Sequence, residues 1–226
     1  MLFRSDWAGA EKDYRRGIEL DPRDPDAHFR FSTVLMFLGR FDEARSELEQ
    51  AQRLDPLSGA ISARFPRLSY LARQYDRALE DARKAREFDA AFFGPHEVTF
   101  MGLSHLQKKM YDQAIAELNN AVELSGETPE MMAYLGYAYA VAGQRGEAEK
   151  VLAKLRDRAA GHKRVAGIYY GIVYMGLGEN DRALDLLEQA SKDREGRLLV
   201  VKVDPIYDSL RNQARFQKLL KEMNLM

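Results

Sequence analysis

Ile18-Glu19-Leu20-Asp21-Pro22 and, 34 residues later, Gln52-Arg53-Leu54-Asp55-Pro56 close two stretches of this chain in the same way. Glu87-Phe88-Asp89 and Glu123-Leu124-Ser125 are weaker forms of that ending. Ahead of each ending an alanine recurs. The series is Ala10, Ala44, Ala78, Ala114, Ala148 and Ala183, spaced by 34, 34, 36, 34 and 35 residues. Four positions after the alanine stand Tyr14, Leu48, Ala82, Leu118, Leu152 and Leu187. Seven after it stand Gly17, Ala51, Ala85, Ala121 and Ala190, with Leu155 the exception. Offsets of zero, four and seven share one face of a helix. Three before the alanine the residue is aromatic at Trp7, Phe41, Tyr75 and Tyr111, while Arg145 and Asn180 depart from this.

A second helix precedes the first in each unit. Twelve residues before the alanine stand Ser32, Pro66, Gly102, Gly136 and Gly171, small residues apart from the proline. Small residues there let the paired helix approach closely. Three residues further on come Leu35, Ser69, His105, Tyr139 and Tyr174. The turns Leu38-Gly39-Arg40, Ala142-Gly143-Gln144 and Leu177-Gly178-Glu179 supply glycine where a helix ends in the left-handed conformation. Asp-Pro stops the second helix of a unit. Each unit is therefore a helix, a turn and a helix. This pattern resembles the tetratricopeptide repeat, and the resemblance covers about residues 5 to 195. It implies an all-α solenoid, a right-handed superhelix of helical hairpins. Domain organisation follows as an array over residues 1–195 and a linker with a capping helix over 196–226. Repeat three carries Pro66 and Ser69 against the pattern, which predicts a kinked or shortened first helix.

Both ends depart from the repeat. The first copy has only its second helix, about Ser5 to Leu20, so Trp7, Tyr14 and Ile18 are expected to lack cover on one side. A chain cut from a longer one, or a second copy pairing at that edge, would account for this. At the other end an amphipathic helix is predicted from about Asn212 to Met223, with Phe216, Leu219, Leu220 and Met223 on its apolar face. Val203-Asp204-Pro205, Tyr207, Asp208-Ser209-Leu210-Arg211, Arg215-Phe216-Gln217 and Leu219-Leu220 resemble the close of a group of bacterial regulators. Those regulators carry such an array behind winged-helix, serine/threonine kinase or cyclase domains. The resemblance implies that this chain is the interaction or sensing module of a larger parent. Leu198-Leu199-Val200-Val201-Lys202-Val203 is the only strand-like run.

In the family, first helices line a concave groove that binds protein segments. The matching positions here include Phe29, Thr33, Phe37, Arg67, Tyr70, Thr99, Leu103, Tyr137 and Ile172. That face is apolar and aromatic, which fits a protein or peptide with an apolar or amphipathic segment. Phe37, Arg67, Tyr70 and Tyr137 are expected to be exposed, being bulky or carrying a polar end. Some of the remainder is equally well read as core between helices. Ala63, Thr99, Ala133 and Ile168 stand where a carboxylate clamp for chaperone tails would need basic or polar groups.

Chemistry is harder to find. The chain has no cysteine, which removes disulfides, thiol nucleophiles and thiolate metal sites and suits a reducing compartment. His96-Glu97 lacks the second histidine of a zinc motif, because Phe100 stands there. His28 and His96 open first helices, and His105 takes a core position. No phosphate-binding glycine loop occurs. No pair of carboxylates stands apart from the charged outer faces of the helices. Lys+Arg number 34 and Asp+Glu 35, a balance without a nucleic-acid footprint. The one basic stretch, Lys150 to Arg164, is read as a solvated helix end and loop because acidic residues interleave it. No apolar run is long enough to span a membrane, and the N-terminus has no signal-peptide pattern. The reading is a non-catalytic, cytoplasmic binding scaffold without cofactor or metal. Its alternatives are a homo-oligomerisation module, pairing through Trp7, Tyr14 and Ile18, and a small-ligand sensor with a cavity at Tyr70, His96 and Arg67.

Overall fold

The structure, a computed structural model, describes residues 7–160, 165–193 and 196–225, with backbone alone at Gly196 and Arg197. Ser5, Asp6, His162, Lys163 and Arg164, which entered the sequence reading, lie outside these. The described residues form helices α1 (Trp7–Leu20), α2 (Pro25–Leu38), α3 (Phe41–Leu54), α4 (Gly59–Ser62), α5 (Phe65–Leu71), α6 (Tyr75–Phe88) and α7 (Pro95–Gln107). They continue as α8 (Tyr111–Leu124), α9 (Pro129–Val141), α10 (Arg145–Ala160), α11 (Gly167–Gly176), α12 (Asn180–Lys192) and α13 (Ala214–Glu222). The chain is an all-helical tetratricopeptide-type solenoid. Its hairpins are α2/α3, α4–α5/α6, α7/α8, α9/α10 and α11/α12.

The alanine register is the seam of these hairpins. Ala44, Ala78, Ala114, Ala148 and Ala183 are all buried, as are Leu48, Leu118, Leu152 and Leu187 on the next turn. Ala51, Ala85, Ala121, Leu155 and Ala190 complete the buried face. The small first-helix residues act as inferred. A Cβ added to Gly102 would come within 2.7 Å of Leu118 Cγ, too close for real atoms. In α1, Ala10 is only half-buried and Gly17 is exposed, because α1 packs on α2 without a hairpin partner of its own among the described residues.

Local signals set the helix ends. Asp24 accepts a hydrogen bond from the Asp26 amide at 2.9 Å, and Pro25 follows at the first helical position. At the turn inside each hairpin the backbone is left-handed. Glycine serves at Gly39, Gly143 and Gly178, with φ of 81°, 79° and 77°. Arg73 and Lys109 adopt the same conformation at φ 61° and 60° without being glycine, which strains them. Lys109 is exposed, so Lys109→Gly is expected to raise stability by about 0.5–1 kcal/mol. Urea unfolding would read this as a higher midpoint at an unchanged slope.

Repeat three departs as its sequence suggests. Its first helix is split into α4 and α5 around Ala63 and Arg64, just ahead of Pro66. Ser69 is fully buried, and its small size leaves room for a polar network. Arg45 donates to Ser69 Oγ at 2.6 Å, and Ser69 donates to Asp81 at 2.5 Å. Both ends of that chain are largely buried, so the hydroxyl satisfies two charged groups at once.

The C-terminal segment does not behave as a linker. Leu198 to Val203 forms no strand; Gly196–Val200 and Pro205–Leu210 are short 3-10 helices. Its apolar residues Leu198, Val201, Val203, Ile206, Tyr207 and Leu210 are all buried in the array's core, with Gly196–Val200 against α12 and Pro205–Leu210 against α11. An alternating strand pattern would leave one face wet, whereas here several consecutive turns meet core. α13 then packs on α12, where Arg215 forks onto Glu188 at 2.9 and 3.0 Å and reaches Asp185 at 2.6 Å. Phe216 stacks on Tyr207 with ring centroids 6.2 Å apart.

Candidate functional site

The concave face carries the chain's own tail. Asp204 opens the second 3-10 helix by accepting the Ile206 amide at 3.1 Å, and Tyr70 Oη donates to the same carboxylate oxygen at 3.0 Å. Beside them Arg73 forks onto Asp208 at 2.6 and 2.8 Å. Arg211 donates to the carbonyls of Lys202 and Asp204, which fixes the turn between them. Val203 reaches the end of α2, 3.4 Å from where a Gly39 Cβ would stand.

Asp204 is 3% exposed. Burial pushes its carboxyl up to about 6, against the two hydrogen bonds and the Arg67 and Arg211 charges that favour the ionised form. Burial likewise drives the Tyr70 hydroxyl well above its ordinary range, and the adjacent Asp204 adds to this.

Two expectations of exposure, at Tyr70 and Phe37, are corrected here. Tyr70 is not exposed but wholly buried, because its hydroxyl has found an internal acceptor. Phe37 is also buried, with Trp7 edge-on at 6.3 Å. Thr99, Leu103 and Ile172 lie within the core at 0–2% exposure. Thr99 spends its hydroxyl on Pro95 O at 2.7 Å. Phe29, Thr33, Arg67 and Tyr137 keep partial exposure. At the other end Trp7 is buried, Tyr14 stacks on Phe31, and Ile18 is half-buried. Of the edge residues expected to lack cover, Trp7 is covered by α2 within the chain, while Tyr14 and Ile18 stay half-exposed.

What the tail leaves open is a chamber of about 430 Å³. One wall is built by first-helix residues: Phe37, Arg64, Arg67, His96, Thr99, Phe100 and Ile172 among them. The opposite wall is the tail, through Leu199, Val200, Asp204 and Tyr207. Phe37, Arg67, Thr99, Ile172 and His96 were marked from sequence and meet here. Tyr70 stands behind the wall, bonded to Asp204. Arg64, Phe100, Tyr169 and Tyr207 were missed as site residues. Arg67 and Arg64 were separable from core only by their charge, and the break before Pro66 that aims Arg64 inward was the one usable signal.

Outside the chamber, the exposed large apolar residues among the described ones lie at one edge, apart from Val141 at the end of α9. Leu20, Phe88 and Leu124 end α1, α6 and α8 at equivalent positions of their repeats, and are 45–70% exposed. Leu57 and Phe92, at 82% and 55%, lie in the turns between repeats on that edge. The basic stretch is absorbed locally. Lys150 pairs with Glu147, Arg156 donates to Tyr174, and Arg158 pairs with Glu127. His28 is a buried structural residue, bonded to Glu47 at 2.6 Å and Pro22 O at 3.2 Å.

A tetratricopeptide repeat family model matches residues 4–63 and 105–169, more than half of the chain. The chain belongs to the tetratricopeptide repeat family. Proteins of this family are in general interaction scaffolds, and the fold binds peptides or proteins. The small glutamine-rich tetratricopeptide repeat-containing protein 2 of Mycosarcoma maydis is 26% identical over 125 residues, 55% of this chain. Those residues are 34% of that relative, so the chain spans about a third of its length. Among solved structures, PilW, a widely conserved type IV pilus biogenesis factor, is 17% identical with a TM-score of 0.62. That alignment covers 95% of this chain and 91% of PilW. A tetratricopeptide repeat protein from Parabacteroides merdae is 12% identical, with a TM-score of 0.66 over 98% of this chain and 79% of its own. At these identities the two structures share the repeat fold with this chain. No helix among the described residues is long and apolar enough to cross a membrane.

Proposed function

We propose that the chain is a non-catalytic protein-interaction scaffold whose partner lies along the inter-repeat edge, not along the concave groove. The observation that carries this is the tail. A peptide running along the groove would have to displace Val203, Ile206 and Tyr207, which are buried there. The edge is open instead, and its exposed apolar residues recur with the repeat. Leu20, Phe88 and Leu124 offer an apolar or amphipathic segment a row of contacts, with Leu57 and Phe92 between them. In this reading the chain is the interaction module of a larger bacterial regulator and works in the cytoplasm. The Val203-Asp204-Pro205 to Leu219-Leu220 run supports that parentage, and the lack of cysteine suits that compartment.

A photo-crosslinking amino acid placed at Leu57 or Phe92 tests the surface in cells that make the protein. Discrete adducts from both positions are expected, with none from Glu80 on the outer face of α6. Equal adducts from all three, or none from the edge, would remove the edge as the contact surface.

A further inference from the structure

We propose that the chamber between the first helices and the C-terminal segment is a binding site for a small amphipathic monocarboxylate, with Arg64 pairing its carboxylate. This site is independent of the edge contact above. It also differs from a clamp on a chain terminus, because the tail closes one side.

Arg64 supplies the first argument. Among the described residues, its guanidinium has no hydrogen-bond or ion-pair partner; it lies over the Phe29 ring, 4.9 Å from its central carbon. Half-buried on the chamber wall, the guanidinium keeps its planar donors available to a ligand in the chamber. Burial, and then the neighbouring Arg67, lower its pKa to about 10, while Glu97 acts the other way. An anion set against the guanidinium would relieve both effects.

The remaining charges on the wall narrow the ligand class. Glu97 already accepts the Gly94 amide at 3.0 Å. Asp204 already accepts from Tyr70 and Ile206. Arg67 lies against the Phe37 and Phe100 rings at 5.3 and 5.7 Å. Arg64 offers the chamber a planar fork with no acceptor among the described residues, which fits one carboxylate. Glu97, Glu130 and Asp204 all line the chamber and would repel a dianion such as a phosphate monoester. A carboxylate presents two coplanar oxygens, which match the guanidinium fork.

The rest of the chamber describes the ligand's body. Phe100, Tyr169, Ile172 and Leu199 give it aromatic and aliphatic walls. A volume of about 430 Å³ lies in the range of small-molecule pockets. A single aryl or short alkyl group fits this space.

The test is calorimetric titration of the full chain at pH 7 with 3-phenylpropionate, octanoate, 3-phenylpropionamide and phenyl phosphate. At least one of the two carboxylates is expected to bind saturably, tenfold or more tightly than the amide and the phosphate. Arg64→Gln should remove that preference at an unchanged circular dichroism spectrum and melting temperature. Ala63→Leu, which fills the chamber and leaves Arg64 in place, should weaken carboxylate binding tenfold as a second variant. No saturable binding of either carboxylate, equal binding of the amide, or carboxylate binding undiminished in both variants would each overturn the proposal.

Discussion

Removing residues 196–226 is expected to abolish cooperative unfolding of the array, not merely to trim its end. The segment buries Leu198, Val201, Val203, Ile206, Tyr207, Leu210, Phe216, Leu219 and Leu220, each at 7% exposure or less. Burying one such side chain stabilises by roughly 1.5–3 kcal/mol. Nine of them together are comparable, before the entropy of ordering the segment, to the whole net stability of a typical domain, about 5–15 kcal/mol. Deletion would also strip cover from Tyr70, Leu71 and Ile172 in repeats three and six. A shortened chain that melts like the full one would show the tail to be a detachable arm. Tyr207→Ala makes the same point with one residue. It removes a ring that is 1% exposed and stacked on Phe216, at an expected cost of about 3–5 kcal/mol, or about 10 °C in melting temperature. Arg73→Ala is the contrast. Its pair with Asp208 is nearly half exposed on both sides, so its loss should cost less than about 1 kcal/mol.

The difference between those variants also marks what could be read from sequence. The hairpins were legible because their determinants are local and repeat: Ala44, Leu48 and Ala51 lie within two turns of one helix, and the next copies restate them. The break at Pro66 was legible because proline acts on its own backbone. The path of the tail was not. Tyr70 and Asp204 are 134 residues apart, and nothing in either neighbourhood names the other. The polar end of Tyr70 suggested exposure, when it signified an acceptor arriving from elsewhere. Leu198 to Val203 suggested a strand through its composition, but no strand edge exists beside it among the described residues. The helix Asn212 to Met223 was placed within two residues at its start and one at its end, since its periodicity is local. The chamber was legible only in part. Phe37, Arg67, His96 and Ile172 sit on first helices whose inner face the repeat defines. Arg64 enters through an irregularity, and the wall opposite comes from the tail.

Asp204→Asn is expected to make the protein more stable than its parent at pH 7 and equal to it near pH 4. The buried carboxyl titrates near 6 in the folded chain, against 3.8 for an unhindered aspartate. Between those values the folded state holds more protons than the unfolded one. Stability contributed by this group is therefore full below the unfolded value, and falls as pH rises through 4 to 6. At about 1.36 kcal/mol per pH unit the loss approaches 3 kcal/mol by pH 7. Asparagine keeps an acceptor oxygen for Tyr70 Oη and the Ile206 amide, since both donate to one oxygen, and it has no charge to desolvate. Asp204→Ala has neither advantage. It leaves two buried donors unpaired and should cost about 1–3 kcal/mol for each. Asp208 titrates in the opposite sense. Burial raises its pKa, but hydrogen bonds from Arg73 and Arg211 outweigh this and lower it, so its contribution falls as pH drops. The parent's own pH profile mixes the two, whereas the difference between parent and Asp204→Asn isolates Asp204. Urea unfolding of both at half-unit steps from pH 4 to 7 measures that difference. A slope rising toward neutral pH fits a buried carboxylate held against its own desolvation by the fold; a flat difference would mean that Asp204 stays solvated and that the tail is not seated on Tyr70.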